Sequence, residues 1–401
     1  MIKIALLGYG TIGSGVAEVL DINAQSIAKR AGDSIEIKYI LDLRDFPGDK
    51  NEDKIVHDYE IIAQDPEIAV VVEAMGGVEP AYTFVKRALL SGRHVATSNK
   101  ALVAKHGPEL LQIAREKNIN FLFEASVGGG IPIIRPLISC LTADVVEEIT
   151  GILNGTTNYM MTKMSNEGSE FADVLKDAQQ KGYAEADPTA DIEGHDACRK
   201  IAILTSLVCG HQVDFEDIHC EGITGISAVD IKYAKAMGKN IKLLASSRLV
   251  DGSYCALVAP FMLDKEHPLY NVHDVFNAVF VHGNVLGDAM FYGSGAGKLP
   301  TASAVVADVV DIVKHIDKNI VIFWDAEKQE LKDYKEAEYR FFVRTAAAKE
   351  AVEAAFGPVA YVELPDVTGE VAFVTEKMSG NAYEAAAAKV SGIINMIRME
   401  A

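Results

Sequence analysis

The glycine-rich turn near the N-terminus constrains the fold more than any other feature of the sequence. Gly8, Gly10 and Gly13 form a G-x-G-x-x-G pattern between the apolar run Ile2–Leu7, which is typical of a buried strand, and apolar residues at helical spacing. In this context the glycines permit a tight turn, backbone approach to a pyrophosphate and close packing of helix on strand, so a plain turn without a ligand is disfavoured. The N-terminus of the helix also attracts phosphate. The predicted dinucleotide contacts here are Gly8, Gly10, Thr11, Ile12 and Gly13.

Strands and helices continue to alternate after this turn. Apolar runs predict strands at Ile35–Leu41, Ile68–Ala74, His94–Thr97 and Asn120–Glu124. Helices are expected at Pro80–Leu90 and Pro108–Lys117, each with its proline in the first helical position. Such alternation predicts a parallel sheet with right-handed crossovers. The fold class is therefore α/β, with a doubly wound Rossmann-type dinucleotide-binding domain over residues 1–130.

The remaining residues predict two further domains and a linker. A strand at Val145–Leu153 and a helix over Asp196–Cys209 lie in an α+β region, residues 131–292, which we interpret as catalytic. The apolar helix Ala302–Ile316 indicates that the segment 293–316 returns to the first domain. Charge-rich residues 317–338, which include the single tryptophan, Trp324, are expected to form a linker. Residues 339–401 read as strand, helix, strand, strand, helix, strand, which predicts a ferredoxin-like domain.

Charge and composition exclude several classes of protein. The net charge of −19 repels phosphate backbones, so nucleic acid is not expected as a partner. The five cysteines are widely spaced, the histidines lack zinc-hydrolase spacing, and no run of about 18 apolar residues indicates a membrane span. The N-terminus does not resemble a signal peptide. We therefore expect a cytoplasmic protein with reduced thiols that acts on a small molecule.

The form of the dinucleotide stays open at this point. An acidic residue at the end of the second strand binds an adenosine ribose, whereas an arginine accepts a 2′-phosphate. The chain offers both, because Asp42 favours NAD and Arg44 favours NADP.

A carboxylate-rich loop precedes the helix predicted near residue 200. Asp196 and Lys200 are four residues apart and share one face of that helix, where a surface ion pair is the ordinary alternative. The opposite flank of the helix is apolar, which indicates burial. The loop before it carries Glu185, Asp187, Asp191 and Glu193. So many carboxylates around one lysine suggest recognition of an amino group together with proton transfer.

These residues closely resemble the signature of the homoserine dehydrogenases. The matching positions are Gly182, Tyr183, Glu185, Asp187, Pro188, Asp191, Asp196 and Lys200. Ser98-Asn99-Lys100, the NGTTN segment 154–158 and the GSGAGKLPTA segment 293–302 add to the resemblance, which spans about the first 315 residues.

The resemblance implies a role for each residue. Lys200 would exchange a proton with the substrate oxygen, Asp196 would orient Lys200, and Glu185, assisted by Asp191, would bind the substrate ammonium. Lys100 would be a second cationic contact near cofactor and substrate, and the turn Ala74–Gly77, with Gly76, and Gly297 would line the cofactor. As a proton donor near neutral pH, Lys200 must be partly withdrawn from water or lie near another cation such as Lys100.

The glycine-rich loop Glu124–Ile131 resembles the monovalent-cation loop of the same family. Main-chain carbonyls with one carboxylate suit a hard cation that prefers oxygen ligands. The ligands implied by the resemblance are Glu124, Val127, Gly129 and Ile131, with sodium as the ion. The alternative is a flexible glycine hinge between domains.

The C-terminal domain resembles the ACT-like regulatory module of many family members, in which threonine acts as an inhibitor. Where such modules usually have a Pro-Gly turn after the first strand, this chain has TAAAKE at Thr345–Glu350. Regulation by threonine is therefore open, and the alternative is a module that serves dimerisation or is vestigial. The resemblance further implies that residues 131–292 mediate dimerisation, giving a homodimer or homotetramer.

The sequence thus predicts an enzyme that interconverts L-homoserine and L-aspartate 4-semialdehyde with NAD or NADP, in threonine and methionine biosynthesis. Another amino-acid semialdehyde dehydrogenase, or an aspartate dehydrogenase, is an alternative on the same fold. A catalytically silent sensor of redox state is a third hypothesis, which the proton-donor pattern of Asp196 and Lys200 disfavours.

Overall fold

The computed structural model describes residues 1–400, which form two compact units. The first unit comprises Met1–Asp144, Ala202–Phe215 and Gly293–Gln329. The second comprises Val145–Ile201, Glu216–Tyr292 and the residues from Glu330 onward. No helix within residues 1–400 combines the length and the apolar character needed to cross a bilayer.

The first unit is built on a six-stranded parallel sheet. Its strands are β1 (Ile2–Leu7), β2 (Ile35–Leu41), β3 (Ile55–Val56), β4 (Ile68–Glu73), β5 (His94–Thr97) and β6 (Phe121–Leu122). Its helices are α1 (Thr11–Ile22), α2 (Ala24–Ala31), α3 (Tyr59–Ala63), α4 (Ala81–Leu90), α5 (Lys100–Glu116) and α11 (Lys298–Lys314). The strand order is β3-β2-β1-β4-β5-β6, which is that of a Rossmann-type sheet and confirms the predicted fold class. The order reverses between β1 and β4, where such sheets bind their ligands.

The helix predicted to begin at Pro108 begins eight residues earlier. The side chain of Asn99 caps α5 by accepting a hydrogen bond from the N–H of Leu102 at 3.1 Å, so Pro108 lies inside the helix. Because proline has no N–H, the carbonyl of Ala104 loses its helical donor. The side-chain amide of Gln212 replaces that donor at 3.2 Å. The expectation was wrong because this compensation comes from a residue distant in sequence.

Trp324 anchors the segment that the sequence predicts to be a linker. It is only 2% exposed and packs on Gly107, where an added Cβ would lie 2.8 Å from the indole ring. Its indole N–H donates to the side-chain oxygen of Gln212 at 3.1 Å. Residues 317–329 therefore form part of the first unit rather than an exposed tether.

The second unit is built on a larger mixed sheet. Its strands are β7 (Val146–Ile152), β8 (His219–Cys220), β9 (Asn240–Val250), β10 (Ser253–Leu263), β11 (Phe276–Gly283), β12 (Gly287–Ser294), β13 (Glu338–Thr345), β14 (Ala360–Val362), β15 (Val371–Val374), β16 (Met378–Ser379) and β17 (Ile393–Glu400). Its helices are α6 (Gly155–Glu167), α7 (Phe171–Gln180), α8 (Thr189–Ile192), α9 (His195–Cys209), α10 (Ala228–Ala236), α12 (Lys349–Phe356) and α13 (Gly380–Ala387). The end of α9, from Ala202, is grouped with the first unit.

The C-terminal strands continue the sheet that contains β7, β9 and β10. The main path runs β12-β11-β7-β9-β10-β17-β13-β15-β14, and β17 pairs in parallel with β10. Within it, β17-β13-β15-β14 has the strand order 4-1-3-2 expected of a ferredoxin-like module. Phe261 of β10 shares one hydrophobic cluster with Phe341 and Phe373 of that module. The predicted boundary at residue 339 is therefore not a break in the sheet or in the core.

Candidate active site

The glycine-rich turn has the shape that a pyrophosphate requires. Gly8 has φ +93°, and a Cβ on Gly13 would lie 1.9 Å from the carbonyl oxygen of Gly8, so β1 and α1 meet only because both residues are glycine. The space beside Gly10 is open, with no atom within 4 Å of a Cβ built there. Thr11 and Ile12 form the first turn of α1, whose N–H groups face this space. These residues fit a bound dinucleotide.

Glu73 organises the second turn predicted to line the cofactor. Its fully buried carboxylate accepts hydrogen bonds from the N–H groups of Met75 at 2.8 Å and Gly76 at 3.3 Å, and from the hydroxyl of Thr97. Burial raises the pKa of Glu73, although these hydrogen bonds partly oppose the rise. Sequence reasoning missed this residue, because a single Glu at the end of an apolar strand carries no spacing signal.

Asn99 connects this turn to Lys100. Its side-chain amide donates to the carbonyl of Gly77 at 2.6 Å, and its side-chain oxygen caps α5. Lys100 is the first residue of that helix. Gly297, with φ +113°, directly precedes α11, and both belong to the first unit. Four predicted cofactor residues are thus located. Gly76 and Gly77 lie in the turn 74–77, Lys100 begins α5, and Gly297 directly precedes α11.

Asp42 and Arg44, the two candidates for cofactor discrimination, form one ion pair. The Nε and terminal guanidinium nitrogen of Arg44 each lie 2.9 Å from the carboxylate of Asp42. The same carboxylate accepts the N–H of Tyr9 at 2.8 Å, inside the glycine-rich turn. Hydrogen bonds from Arg44 lower the pKa of Asp42 well below its usual range. Asp42 is therefore occupied by internal donors, whereas the Arg44 side chain is 62% exposed.

Lys200 is buried and held in a fixed position. Its ammonium group donates to the main-chain carbonyl of Leu153 at 2.7 Å and lies 2.8 Å from the carboxylate of Asp196. Only 8% of Lys200 and 4% of Asp196 is exposed, so the pair is not the surface pair weighed as the alternative. The i, i+4 spacing on α9 places both side chains on one face, as predicted.

Asn154 joins this pair to the preceding loop. Its side-chain amide donates to Asp191 at 2.7 Å and to Asp196 at 3.0 Å. Its side-chain oxygen caps α6 by accepting the N–H of Thr157 at 2.9 Å. The NGTTN segment therefore supplies the amide that holds two carboxylates side by side, and Leu153, which directly precedes it, supplies the carbonyl that Lys200 binds. The spacing of the motif alone could not reveal this bridge, because its partners are about 40 residues away in sequence.

Glu185 lies apart from this network. Its side chain is exposed and makes no hydrogen bond or ion pair with Asp191, Asp196 or Lys200 in the part of the chain that the structure describes. Its main-chain carbonyl accepts a hydrogen bond from the side chain of Gln179 at 3.1 Å. The structure thus brings together Asp191, Asp196 and Lys200, and leaves Glu185 on the surface of the same unit.

The carboxylate of Glu124 is committed to the main chain of the glycine-rich loop. It accepts N–H hydrogen bonds from Ile133 at 2.6 Å, Ile134 at 2.8 Å and Arg135 at 2.7 Å, and the residue is 2% exposed. Both oxygens accept N–H donors, but a carboxylate has about four acceptor sites, so Glu124 and nearby main-chain carbonyls stay the predicted ligands of a cation at this loop. One of these carbonyl oxygens, that of Ile131, lies close to Gly128, where a Cβ would be 2.4 Å from it.

The close approach of two glycine segments disfavours a loose hinge. A Cβ on Gly129 would lie 2.2 Å from the carbonyl oxygen of Gly295, and the N–H of Gly130 donates to Ser294 at 3.0 Å. These contacts lie within the first unit. The glycines at 128–130 are thus required by packing, whether or not a cation binds there.

A Rossmann-type sheet with an open phosphate turn, together with a buried lysine paired with a carboxylate, is the arrangement expected of a nicotinamide-dinucleotide-dependent oxidoreductase. Comparison with known families narrows this class. The homoserine dehydrogenase NAD-binding domain matches residues 8–124, and the homoserine dehydrogenase domain matches residues 132–310. The chain belongs to the homoserine dehydrogenase family, an oxidoreductase family of amino-acid biosynthesis.

Individual relatives agree with this assignment. A homoserine dehydrogenase from Synechocystis is 48% identical over 323 residues, which cover 78% of this chain and 73% of the relative. The crystal structure of a homoserine dehydrogenase from Thiobacillus denitrificans superposes with a TM-score of 0.91 at 34% identity, over 100% of this chain and 98% of that one. A hyperthermophilic archaeal homoserine dehydrogenase solved in complex with NADPH superposes with a TM-score of 0.65 at 27% identity, over 78% of this chain and 97% of that one. The expected NAD(P) dependence is confirmed.

Proposed function

We propose that Lys200 exchanges a proton with the substrate oxygen while this chain interconverts L-homoserine and L-aspartate 4-semialdehyde. The carrying observation is the buried ammonium of Lys200, fixed between Leu153 and Asp196. An ammonium group has three N–H donors, and these two contacts use two of them. The third is available for a substrate oxygen. The bound nicotinamide supplies or accepts the hydride.

The carboxylates beside Lys200 suit the substrate ammonium. Asp191 is held by Asn154 through one oxygen, at 2.7 Å, and is only half-buried, so it remains accessible to a ligand. We propose that Asp191 is the nearer contact for the ammonium and that the exposed Glu185 is the second. Asp196 orients Lys200, and Lys100 serves as a second cationic contact for cofactor and substrate.

The Asp42–Arg44 pair favours NADPH over NADH. An NAD-specific enzyme uses the acidic residue to bind the ribose hydroxyls. Here that carboxylate already accepts hydrogen bonds from Tyr9 and Arg44, while the guanidinium of Arg44 is exposed and oriented. An oriented guanidinium is the group that recognises a 2′-phosphate.

The assembly is proposed to be a homodimer or homotetramer that uses the edge strand β12. Alternate residues of β12 are exposed, and among them Met290 is 45% and Tyr292 53% exposed. Such an apolar edge is normally covered. If Tyr292→Asp leaves the molar mass measured by light scattering unchanged, the interface lies elsewhere.

Threonine is proposed as the effector of the C-terminal module. A cavity of about 210 Å³ between α10 and β14 is lined by Lys349, Glu363 and Glu370, so it presents both a cation and carboxylates. A zwitterionic amino acid requires both charges. Inhibition at millimolar threonine that is lost in Lys349→Ala would support this site, and an unchanged rate would leave a structural role for the module.

Initial rates test the proposed reaction. Purified protein should oxidise homoserine with NADP and reduce aspartate semialdehyde with NADPH, measured with and without sodium and threonine. Lys200→Ala should lose nearly all turnover while its affinity for NADPH, measured by fluorescence titration, is unchanged. Lys163→Ala is the matched control, because Lys163 lies on α6 and pairs with Glu167 and Asp177 rather than with Asp196. Near-normal turnover in Lys200→Ala would refute the role of Lys200 in proton transfer. A higher rate with another semialdehyde would show that aspartate semialdehyde is not the preferred substrate.

A further inference from the structure

The C-terminal strand carries a buried arginine that no catalytic role accounts for. Arg398 of β17 is 5% exposed, and its guanidinium binds the carboxylate of Glu221 through two hydrogen bonds of 2.7 and 2.8 Å. The ring nitrogen of His219 lies 2.7 Å from the same carboxylate. His219 in turn stacks on Tyr334, with ring centroids 3.8 Å apart. Glu221 is thus fixed on both sides.

The segment that carries Glu221 packs on the backbone of residues 192 and 193. The N–H of Ile223 donates to the carbonyl of Ile192 at 2.8 Å, and the thiol of Cys220 donates to the carbonyl of Glu193 at 3.1 Å. At Gly222 a Cβ would lie 2.3 Å from the carbonyl oxygen of Ile192, so no larger residue fits there. The segment 219–223 therefore acts as a rigid support for residues 192–193.

The supported residues lie between the two carboxylates of the proposed site. Asp191 is next to Ile192 at the end of α8, and Asp196 follows Gly194 at the start of α9. Gly194 has φ +82°, and a Cβ there would lie 2.9 Å from the sulfur of Cys220. A displacement of the segment 219–223 would consequently change the path of the chain between Asp191 and Asp196.

We propose that Arg398 is a positioning residue for the substrate site, which acts through Glu221 and the segment 219–223 to hold Asp191 and Asp196 at the spacing that an amino-acid ammonium requires. This inference rests on the proposed function of Asp191, Asp196 and Lys200. It links the C-terminal strand to the substrate site indirectly, because β17 places Arg398 beside Phe261 of β10 and against Glu221.

The electrostatics of the pair support this role. Burial alone would raise the pKa of Glu221, but the hydrogen bonds from His219 and Arg398 outweigh burial and lower this pKa to about 2. Glu221 therefore stays ionised at neutral pH, and the ion pair persists. Removal of Arg398 leaves the half-buried carboxylate of Glu221 without its bidentate partner, which frees the segment 219–223 to shift.

The same module provides a matched control. Arg344 of β13 is also buried, and it lies 2.9 Å from Asp230 and 2.7 Å from Glu370. Its partners lie on α10 and before β15, not on the segment that supports residues 192–193. Arg344→Met and Arg398→Met thus each remove a buried guanidinium from its carboxylate partners, and only the second should reach the substrate site.

Steady-state kinetics of the full-length variants test the proposal. Arg398→Met should lower kcat/KM for homoserine about tenfold or more, mainly through KM, while KM for NADP changes less than about twofold. Glu221→Gln should lower kcat/KM for homoserine as much as Arg398→Met does. The double variant of Arg398→Met and Glu221→Gln should have a kcat/KM no lower than that of either single variant. The kcat/KM of Arg398→Lys should lie between those of the natural protein and Arg398→Met. Arg344→Met should lower the melting temperature with KM for homoserine unchanged.

Two outcomes separate the possible failures. Equal KM values for homoserine in Arg398→Met and Arg344→Met would overturn the positioning role. If Arg398→Met does not fold, a normal KM for homoserine in Glu221→Gln would overturn it instead. Failure of the proposed function itself would appear as full turnover in Lys200→Ala, which does not depend on Arg398.

Discussion

Lys242 gives the sharpest test of the electrostatics of the second unit. This lysine of β9 is fully buried, and its ammonium donates to the side-chain oxygen of Asn158 at 3.0 Å and to the carbonyl of Val272. Burial lowers the pKa of Lys242 from 10.5 to about 7, although Asp274 opposes the shift. His273, the other titratable group that interacts with Lys242, also has a pKa lowered chiefly by burial.

The sign and size of the stability effect follow from this pKa. Below pH 7 both the folded and the unfolded protein carry the proton, so the burial penalty is constant. Between pH 7 and 10.5 only the unfolded protein keeps it, so the free energy of unfolding rises with pH. The full difference in pKa corresponds to roughly 5 kcal/mol, at about 1.4 kcal/mol for each tenfold change in proton affinity.

Hydrogen exchange of the amides in β9 and β10 measures this free energy within the unit concerned. In Lys242→Met the rise should be absent, so the stability of the natural protein relative to the variant should increase by roughly 5 kcal/mol from pH 6.5 to 10.5. Lys235→Met on the exposed face of α10 is the control, because it makes the same change in charge without removing a buried ammonium. A difference between natural protein and Lys242→Met that is constant with pH would refute the reasoning.

Three further substitutions test other parts of the site. Arg44→Ala should raise KM for NADPH roughly tenfold or more, as expected for loss of a charged hydrogen bond, and should leave KM for NADH almost unchanged. Equal increases in the KM values for NADPH and NADH would contradict the role of Arg44. Asn154→Ala should destabilise α6 by about 1 kcal/mol through loss of its cap and also lower kcat, so a stability change with normal kcat would limit Asn154 to capping. Glu124→Gln should destabilise the first unit by roughly 2–3 kcal/mol, because an amide nitrogen, itself a donor, would replace one oxygen that accepts N–H groups. Thermal unfolding of this unit can be followed by the fluorescence of Trp324, whose ring lies 6.2 Å from that of Phe123. An unchanged melting temperature would show that the carboxylate is dispensable.

Local sequence patterns determined the part of the fold that could be predicted. The bounds of β1 and β2 agree with the predicted strands, because β1 is largely buried, β2 buries Ile37, Ile40 and Leu41, and each strand ends at a turn. The position of α9 follows from its apolar face, and the i, i+4 spacing placed Asp196 and Lys200 together. Short-range periodicity is sufficient for features of this kind.

Long-range contacts explain what the sequence did not reveal. The continuation of α5 through Pro108 is supported by Gln212, which satisfies the carbonyl that Pro108 leaves without a donor. The bridge from Asn154 to Asp191 and Asp196 joins segments far apart in the chain. The pairing of β17 with β10 is likewise non-local, and so the C-terminal module appeared separate in the sequence.

The role of Lys200 is the central claim, and a single-turnover measurement tests it most directly. Enzyme saturated with NADP is mixed with homoserine, and the formation of NADPH is followed by its absorbance in the natural protein and in Lys200→Met. The account predicts a rate about 10²–10⁴-fold lower in the variant, which is the usual contribution of a general acid or base, with unchanged binding of NADP. A rate in Lys200→Met close to that of the natural protein would contradict the account.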